Sequence, residues 1–417
     1  MNRRLLLLAL TAALAACSLP APAGRHAGLP LQGGQAPSPI ATAASSPTAP
    51  SVSPRPVEPT AAPTAQAATA SPGPAATPVL AAGSALDEKA QAIASGVDAL
   101  LNNLARQGAF SGSVLVAQDD QVILSQGYGL ADREKGTPNT PGTRFRLGSV
   151  TKPFTAMAVL IMQAEGKLSV QDRICTYIED CPAAWQDITI HHLLTHTSGI
   201  ADLTEQPDFD RRKATPSPPL QTIARFKDLP LGFRPGEEWR YSNSGYIVLG
   251  AIIERVSGQS YEAFLQQHIF DPLGMSDTGY DHNRDDLAVG YADRSRKADY
   301  IDMSIPFAAG GLYSTVEDLY RWDRALTTDR LIPRELLDQM FTPQAPTREY
   351  GGAGYGYGWF IGKPFGRSWI GHAGGIEGFS TIDSWFPDNE TYIILLMNQQ
   401  DIGPFRILEQ IQKIVFR

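Results

Sequence analysis

The segment Ser149-Val150-Thr151-Lys152 puts a hydroxyl and an amine three residues apart. On a helix that spacing places both on one face, about one turn apart. An amine there can take the hydroxyl proton and make a poor nucleophile competent. A helix start adds free backbone N–H groups and the positive end of the dipole, both of which favour a developing alkoxide. Two further segments carry complementary chemistry. Tyr241-Ser242-Asn243 offers a phenol that can relay a proton between Ser149 and a leaving group, and a carboxamide that can orient Lys152 or a substrate carbonyl. His372-Ala373-Gly374-Gly375 offers a backbone open to close approach, with the N–H groups of Gly375 and Ser149 as candidate oxyanion donors. No one of these patterns is specific alone, since His26-Ala27-Gly28 repeats the third near the N-terminus. Their order and local context give them weight.

The elements that must position these groups are legible in outline. Ile93, Val97, Leu100, Leu101 and Leu104 mark a helix over 86–106. The β-rich runs Gly112–Ala117 and Val122–Gly127, joined through Asp119-Asp120, predict a hairpin. Ser149 opens an apolar helix that runs to about Glu165, and residues 166 to about 310 read as helix and loop broken by Pro and Gly. Asn243 or Ser244 is expected to cap a helix over Tyr246–Val256, and Ser314 or Thr315 one over Thr315–Leu326. Strands are expected at Ser368–Gly371, Phe379–Trp385 and Tyr392–Met397, with the His372 motif opening a strand and a last helix over Phe405–Val415. Strands near both ends around a helical middle predict an α/β domain built from both termini, with an α-rich insertion.

With 417 residues, 43% of them hydrophobic, the chain can bury a large core. The net charge of −8 contains no basic run, so nucleic acid is not an expected partner. The N-terminus reads as an export signal: Asn2-Arg3-Arg4, then an apolar run from Leu5 to Leu14 too short to span a bilayer. Leu14-Ala15-Ala16-Cys17 resembles a bacterial lipobox, which implies cleavage before Cys17 and lipidation of its thiol. The expected location is therefore the bacterial cell envelope, with membrane contact through the lipid only. Residues 18–84 are rich in Pro, Ala, Ser and Thr and are expected to form a disordered tether ahead of a domain over 85–417. With Cys17 acylated, the remaining Cys175 and Cys181 are an even pair in an oxidising compartment, and a disulfide is expected between them. No second pair of soft ligands accompanies them, so no metal site is expected.

Taken with Leu193-Leu194-Thr195-His196-Thr197-Ser198-Gly199, Pro235-Gly236 and Tyr355-Gly356-Tyr357-Gly358-Trp359, these motifs occur in one order across residues 86–417. The chain resembles the serine β-lactamase and penicillin-binding hydrolase superfamily, in the branch of class C β-lactamases, D-alanyl-D-alanine carboxypeptidases and related esterases. The resemblance implies a β-lactamase/transpeptidase-like α/β fold, an antiparallel central sheet flanked by helices. It implies an acyl-enzyme on Ser149, with Lys152 as base and Tyr241 assisting, the choice of true base between the two being left open by the sequence, and no cofactor. His196 is expected to be a turn and packing element, and Tyr350–Trp359 to lead into the sheet. One departure bears on substrate. Such enzymes typically carry Lys-Thr-Gly where this chain has His-Ala-Gly. A histidine is mostly neutral at pH 7 and alanine has no hydroxyl, so a free substrate carboxylate loses its dock. Esterase or D-peptidase/amidase action on a small ester, amide or peptide, cell-wall fragments included, is favoured. β-Lactamase or carboxypeptidase action, or a non-catalytic envelope sensor, are the alternatives.

Overall fold

The structure, a computed structural model, describes residues 86–349, 352, 354–400 and 402–417. The export signal, the lipobox with Cys17 and the tether lie outside the described residues.

A seven-stranded sheet is assembled from the two ends of the domain. The N-terminal side gives β1 (Gly112–Gln118) and β2 (Gln121–Tyr128). The C-terminal side gives β3 (Gly354–Tyr355), β4 (Phe360–Gly362), β5 (Trp369–Ile376), β6 (Phe379–Phe386) and β7 (Thr391–Met397). The order is β2-β1-β7-β6-β5-β4-β3, with every neighbour antiparallel. The seam between the two ends is the β1–β7 ladder, in register from Gly112 opposite Met397 to Gln118 opposite Thr391. Asp119 and Asp120 both take positive φ, the two-residue turn whose twist suits a hairpin.

Both faces of the central strands are covered, which is why their apolar runs do not alternate. One face, with Val114, Val116, Ile393 and Leu395, packs on α1 (Glu88–Arg106) and α5 (Pro404–Val415). Each of these terminal helices buries one stripe: Ile93, Val97 and Leu101 from α1, Ile407, Leu408 and Ile411 from α5. The other face, with Leu115, Ile394 and Leu396, packs on the insertion. At its centre lies α2 (Thr151–Ala164), buried at every residue from Thr151 to Met162. Such a helix belongs to a core rather than a surface. Around it stand α3 (Asn243–Ser257) and α4 (Val316–Ala325), the latter capped by Thr315 as expected. Cys175 and Cys181 are bonded to each other.

Three local expectations are corrected. Ser149 sits in a 3-10 turn, Gly148–Val150, that precedes α2 instead of being its first residue. Neither Asn243 nor Ser244 caps α3: Ser242 holds that position, Asn243 begins the helix, and Ser244 Oγ accepts from Leu203 N–H at 2.8 Å. The His372 motif lies inside β5 instead of opening a strand, because Trp369 and Ile370 already pair with Gly362 and Ile361.

One pair of core groups has a stability consequence. Asp323 on α4 and Asp383 on β6 are 3% and 1% exposed and interact with each other. Burial, first of all, raises both carboxyls above the usual carboxylate range, so the pair retains a proton where isolated carboxyls would have lost theirs. The native state thus binds more protons here than the unfolded chain. That contribution is full below about pH 4 and is lost as pH rises through the raised native range. Asp383→Asn removes one titrating partner. Its melting temperature is expected to fall less than that of wild type between about pH 5 and 8, and to exceed wild type by about 3–8 °C at the upper end. Parallel pH slopes for the two proteins would disprove the shared proton.

Candidate active site

Lys152 is the centre of the site because its buried amine meets three acceptors. Its Nζ lies 3.1 Å from Ser149 Oγ, 2.9 Å from Asn243 Oδ1 and 2.9 Å from the carbonyl oxygen of Ala309. The side chain is fully buried, with the rings of Tyr241 and Tyr246 at 4.7 and 5.5 Å from Nζ. Burial drives its pKa down to about 7, against a smaller upward pull from Asp202. Near neutrality much of the amine is therefore uncharged. A neutral amine has two N–H bonds and one lone pair. Asn243 Oδ1 and Ala309 O can only accept, so they take the two N–H bonds, and the lone pair is left for the Ser149 hydroxyl.

The backbone around the half-buried Ser149 is shaped by glycine. Gly148 has φ +53°, and a Cβ there would come within 2.9 Å of Gly375 O. On β5, a Cβ at Gly374 would lie 2.0 Å from Leu147 O. These two glycines let β5 lie directly on the turn that carries the hydroxyl, and Thr381 Oγ, opposite Gly374 on β6, donates to Leu147 O just before that turn at 2.8 Å. A Cβ at Gly375 would meet nothing within 4 Å, so its backbone borders open space beside that turn. Ser149, Lys152, Tyr241, Asn243, Gly374 and Gly375 are thus brought into one place by α2, the start of α3 and β5.

His372, a candidate substrate-binding residue, is present there with both ring nitrogens engaged within the protein. Its Nδ1 lies 2.7 Å from Ala373 O and its Nε2 3.1 Å from the Tyr355 hydroxyl. A carbonyl can only accept, so Nδ1 carries the proton and Nε2 accepts from Tyr355. The ring is 1% exposed, and burial, aided by the charge of Lys152, holds its pKa down to about 3. It is a neutral, internally satisfied imidazole with no donor left over.

His196 does what its motif suggested. It takes φ +60° after a short helix, Ile190–Leu194, and its Nδ1 accepts from Ser242 N–H at 3.1 Å. Its ring packs 4.3 Å from that of Tyr241, which places the phenol beside Lys152. Burial, first, keeps it far below its usual pKa and uncharged.

Four contributors escaped sequence reasoning. The Ala309 carbonyl comes from a short helix, Phe307–Gly310, whose Ala308 carbonyl accepts from Thr155 Oγ on α2 at 2.7 Å. The small run Ala308-Ala309-Gly310-Gly311 was the available signal. Tyr246 floors Lys152 from α3. Tyr355, in β3 inside the Tyr350–Trp359 segment that was expected to lead into the sheet, fixes His372. Asp202 Oδ2 accepts from both the backbone and the side-chain nitrogen of Asn243.

The Beta-lactamase family model matches residues 90–413. The chain belongs to this family. It is a serine hydrolase with the antiparallel sheet and flanking helices of the β-lactamase/transpeptidase-like fold. Among its relatives, the Putative penicillin-binding protein PbpX of Bacillus subtilis is 33% identical over 312 residues, 72% of this chain and 74% of that one. Esterase EstB of Burkholderia gladioli is 30% identical over 363 residues, covering 74% of this chain and 90% of its own. The D-stereospecific amidohydrolase of Streptomyces sp. superposes with a TM-score of 0.65 at 27% identity, over 76% of this chain and 97% of that one. Members of one family thus include proteins named for penicillin binding, for ester cleavage and for D-amide cleavage. The distinction within this family member rests on its own site.

Proposed function

We propose that this protein hydrolyses small esters or D-configured amides through an acyl-enzyme on Ser149. Lys152, as a neutral amine, takes the Ser149 proton while Oγ attacks the substrate carbonyl. The oxyanion is received by the N–H groups of Ser149 and Gly375. The intermediate collapses, the bond to the alcohol or amine breaks, and that leaving group takes a proton from Lys152 through Tyr241. Water, activated near Tyr241, then cleaves the acyl ester and restores the hydroxyl. Asn243 and Ala309 O hold the amine throughout.

The observation that carries the substrate side is His372. A positive charge at this point of β5 would hold a free carboxylate, and here the group is a neutral ring with both nitrogens engaged. The names of EstB and of the Streptomyces amidohydrolase support the same direction. The test compares a p-nitrophenyl ester, a D-phenylalanine p-nitroanilide and a chromogenic cephalosporin on the full-length protein. The kcat/KM for the ester or the anilide should exceed that for the cephalosporin by at least about 100-fold. The reverse order would make it a β-lactamase and overturn the reading.

The cellular side of the proposal is export and anchoring through lipidated Cys17. The lipobox-like Leu14-Ala15-Ala16-Cys17 supports it, and a disulfide between Cys175 and Cys181 suits an oxidising compartment. Fractionation of cells carrying Cys17→Ser should find the protein released from membranes; unchanged membrane recovery would remove the anchor.

A further inference from the structure

An asparagine side chain has two ends, and only one of them serves an amine. If the Asn243 carboxamide turned over, its NH₂ would face Lys152 Nζ, donor against donor, and the lone pair would no longer be reserved for Ser149. The local sequence does not set this choice, since Oδ1 and Nδ2 are nearly equal in size.

We infer that Asp202 is the positioning residue that makes the choice, by clamping the Asn243 carboxamide with its oxygen toward Lys152. Asp202 Oδ2 accepts from Asn243 Nδ2 at 3.1 Å and from the Asn243 backbone N–H at 2.9 Å. An ionised carboxylate is acceptor-only, so it tolerates the amide nitrogen and repels the amide oxygen. The other oxygen, Oδ1, is fixed by Thr204 N–H at 2.8 Å and Thr204 Oγ at 2.9 Å. Thr204 Oγ also lies 3.5 Å from Asn243 Nδ2. The backbone N–H of Asn243 is one of the donors at the start of α3 that have no partner within the helix, and a negative charge is favoured there. The carboxylate is 5% exposed, so its bonds are not diluted by solvent.

A line thus runs from Asp202 through Asn243 to Lys152 and Ser149. It has two effects on the amine. The geometry keeps the lone pair aimed at the hydroxyl, and the negative charge offsets part of what burial takes from the proton affinity of Lys152. The other titratable groups facing that amine are His196 and His372, both neutral, and the phenols of Tyr241 and Tyr246. Among the described residues facing this amine, Asp202 supplies the negative charge.

The inference rests on Lys152 being the base, and the test separates the two. The pH dependence of kcat and kcat/KM is measured on a p-nitrophenyl ester from about pH 5 to 9, for full-length wild type, Asp202→Asn, Thr204→Val and Lys152→Ala. Asp202→Asn should lower kcat by about 10- to 100-fold with KM changed by less than about 3-fold. Its acid limb should move to lower pH by about half a unit, because the anion that favours protonated Lys152 is gone. Thr204→Val keeps the anion but loosens its hold, so it should lower kcat by a smaller factor, and it carries the clamp part of the test if Asp202→Asn does not fold. In Asp202→Asn, a kcat loss with the limb unmoved would leave Asp202 as a mere cap of the turn Leu203–Glu205 and overturn the inference. So would an unchanged kcat in a folded variant. A wild-type limb that survives in Lys152→Ala would instead sink the base assignment itself.

Discussion

Ser149→Ala yields a folded protein whose acyl transfer falls by at least about 10⁴-fold. The loss is large because the variant removes the atom proposed to form the covalent bond, and among the described residues no other hydroxyl takes a place on Lys152. The fold survives because Ser149 is half-buried and, among the described residues, its Oγ meets one polar partner, Lys152, which keeps Asn243 Oδ1 and Ala309 O. Removing one such bond costs about 1 kcal/mol. Intact-mass measurement after exposure to a β-lactam or a slowly released activated ester should show one acyl group on wild type and none on Ser149→Ala. Hydrolysis near the wild-type rate, or an adduct on the variant, would end the acyl-enzyme mechanism.

Lys152→Ala loses about 10²- to 10⁴-fold in acylation, the range expected for removing a positioned base. In the proposed mechanism the working form in wild type is the neutral amine. Its fraction falls about tenfold for each pH unit below a pKa of about 7, so kcat/KM should rise with pH and level off just above neutrality. Lys152→Arg should be as inactive as the alanine variant, because a guanidinium keeps its proton throughout that range. A pH profile flat down to about pH 5 would exclude Lys152 as the base. The same depression has a thermodynamic side. Between about 7 and the ordinary 10.5 the native state binds fewer protons at this site than the unfolded chain. Its contribution to stability therefore grows with pH across that window, opposite in sign to the Asp323–Asp383 pair. Comparing each variant with wild type separates the two slopes.

The sequence by itself determined the parts that are local. Ser149 and Lys152 meet because three residues span one turn, whether the serine sits in the helix or in the 3-10 turn before it. The hairpin turn at Asp119-Asp120, the stripes of α1 and α5, and the origin of the sheet in both ends of the domain follow from apolar spacing and turn chemistry. The bond between Cys175 and Cys181, six residues apart, is likewise local.

Tertiary structure decided what each group is free to do. Nothing near His372 announces that its ring is sealed, because the hydroxyl that seals it comes from Tyr355, 17 residues away on the edge of the sheet. Asn243 looked equally suited to capping a helix, holding Lys152 or meeting substrate. A carboxylate 41 residues earlier, at Asp202, restricts that choice. The carbonyl of Ala309 is main chain, which every residue possesses, so its role could not be read from a side-chain pattern. Residue types set the available chemistry, but burial and partners reached through long loops set proton affinity and orientation. Those depend on where the chain returns, which no short window of sequence contains.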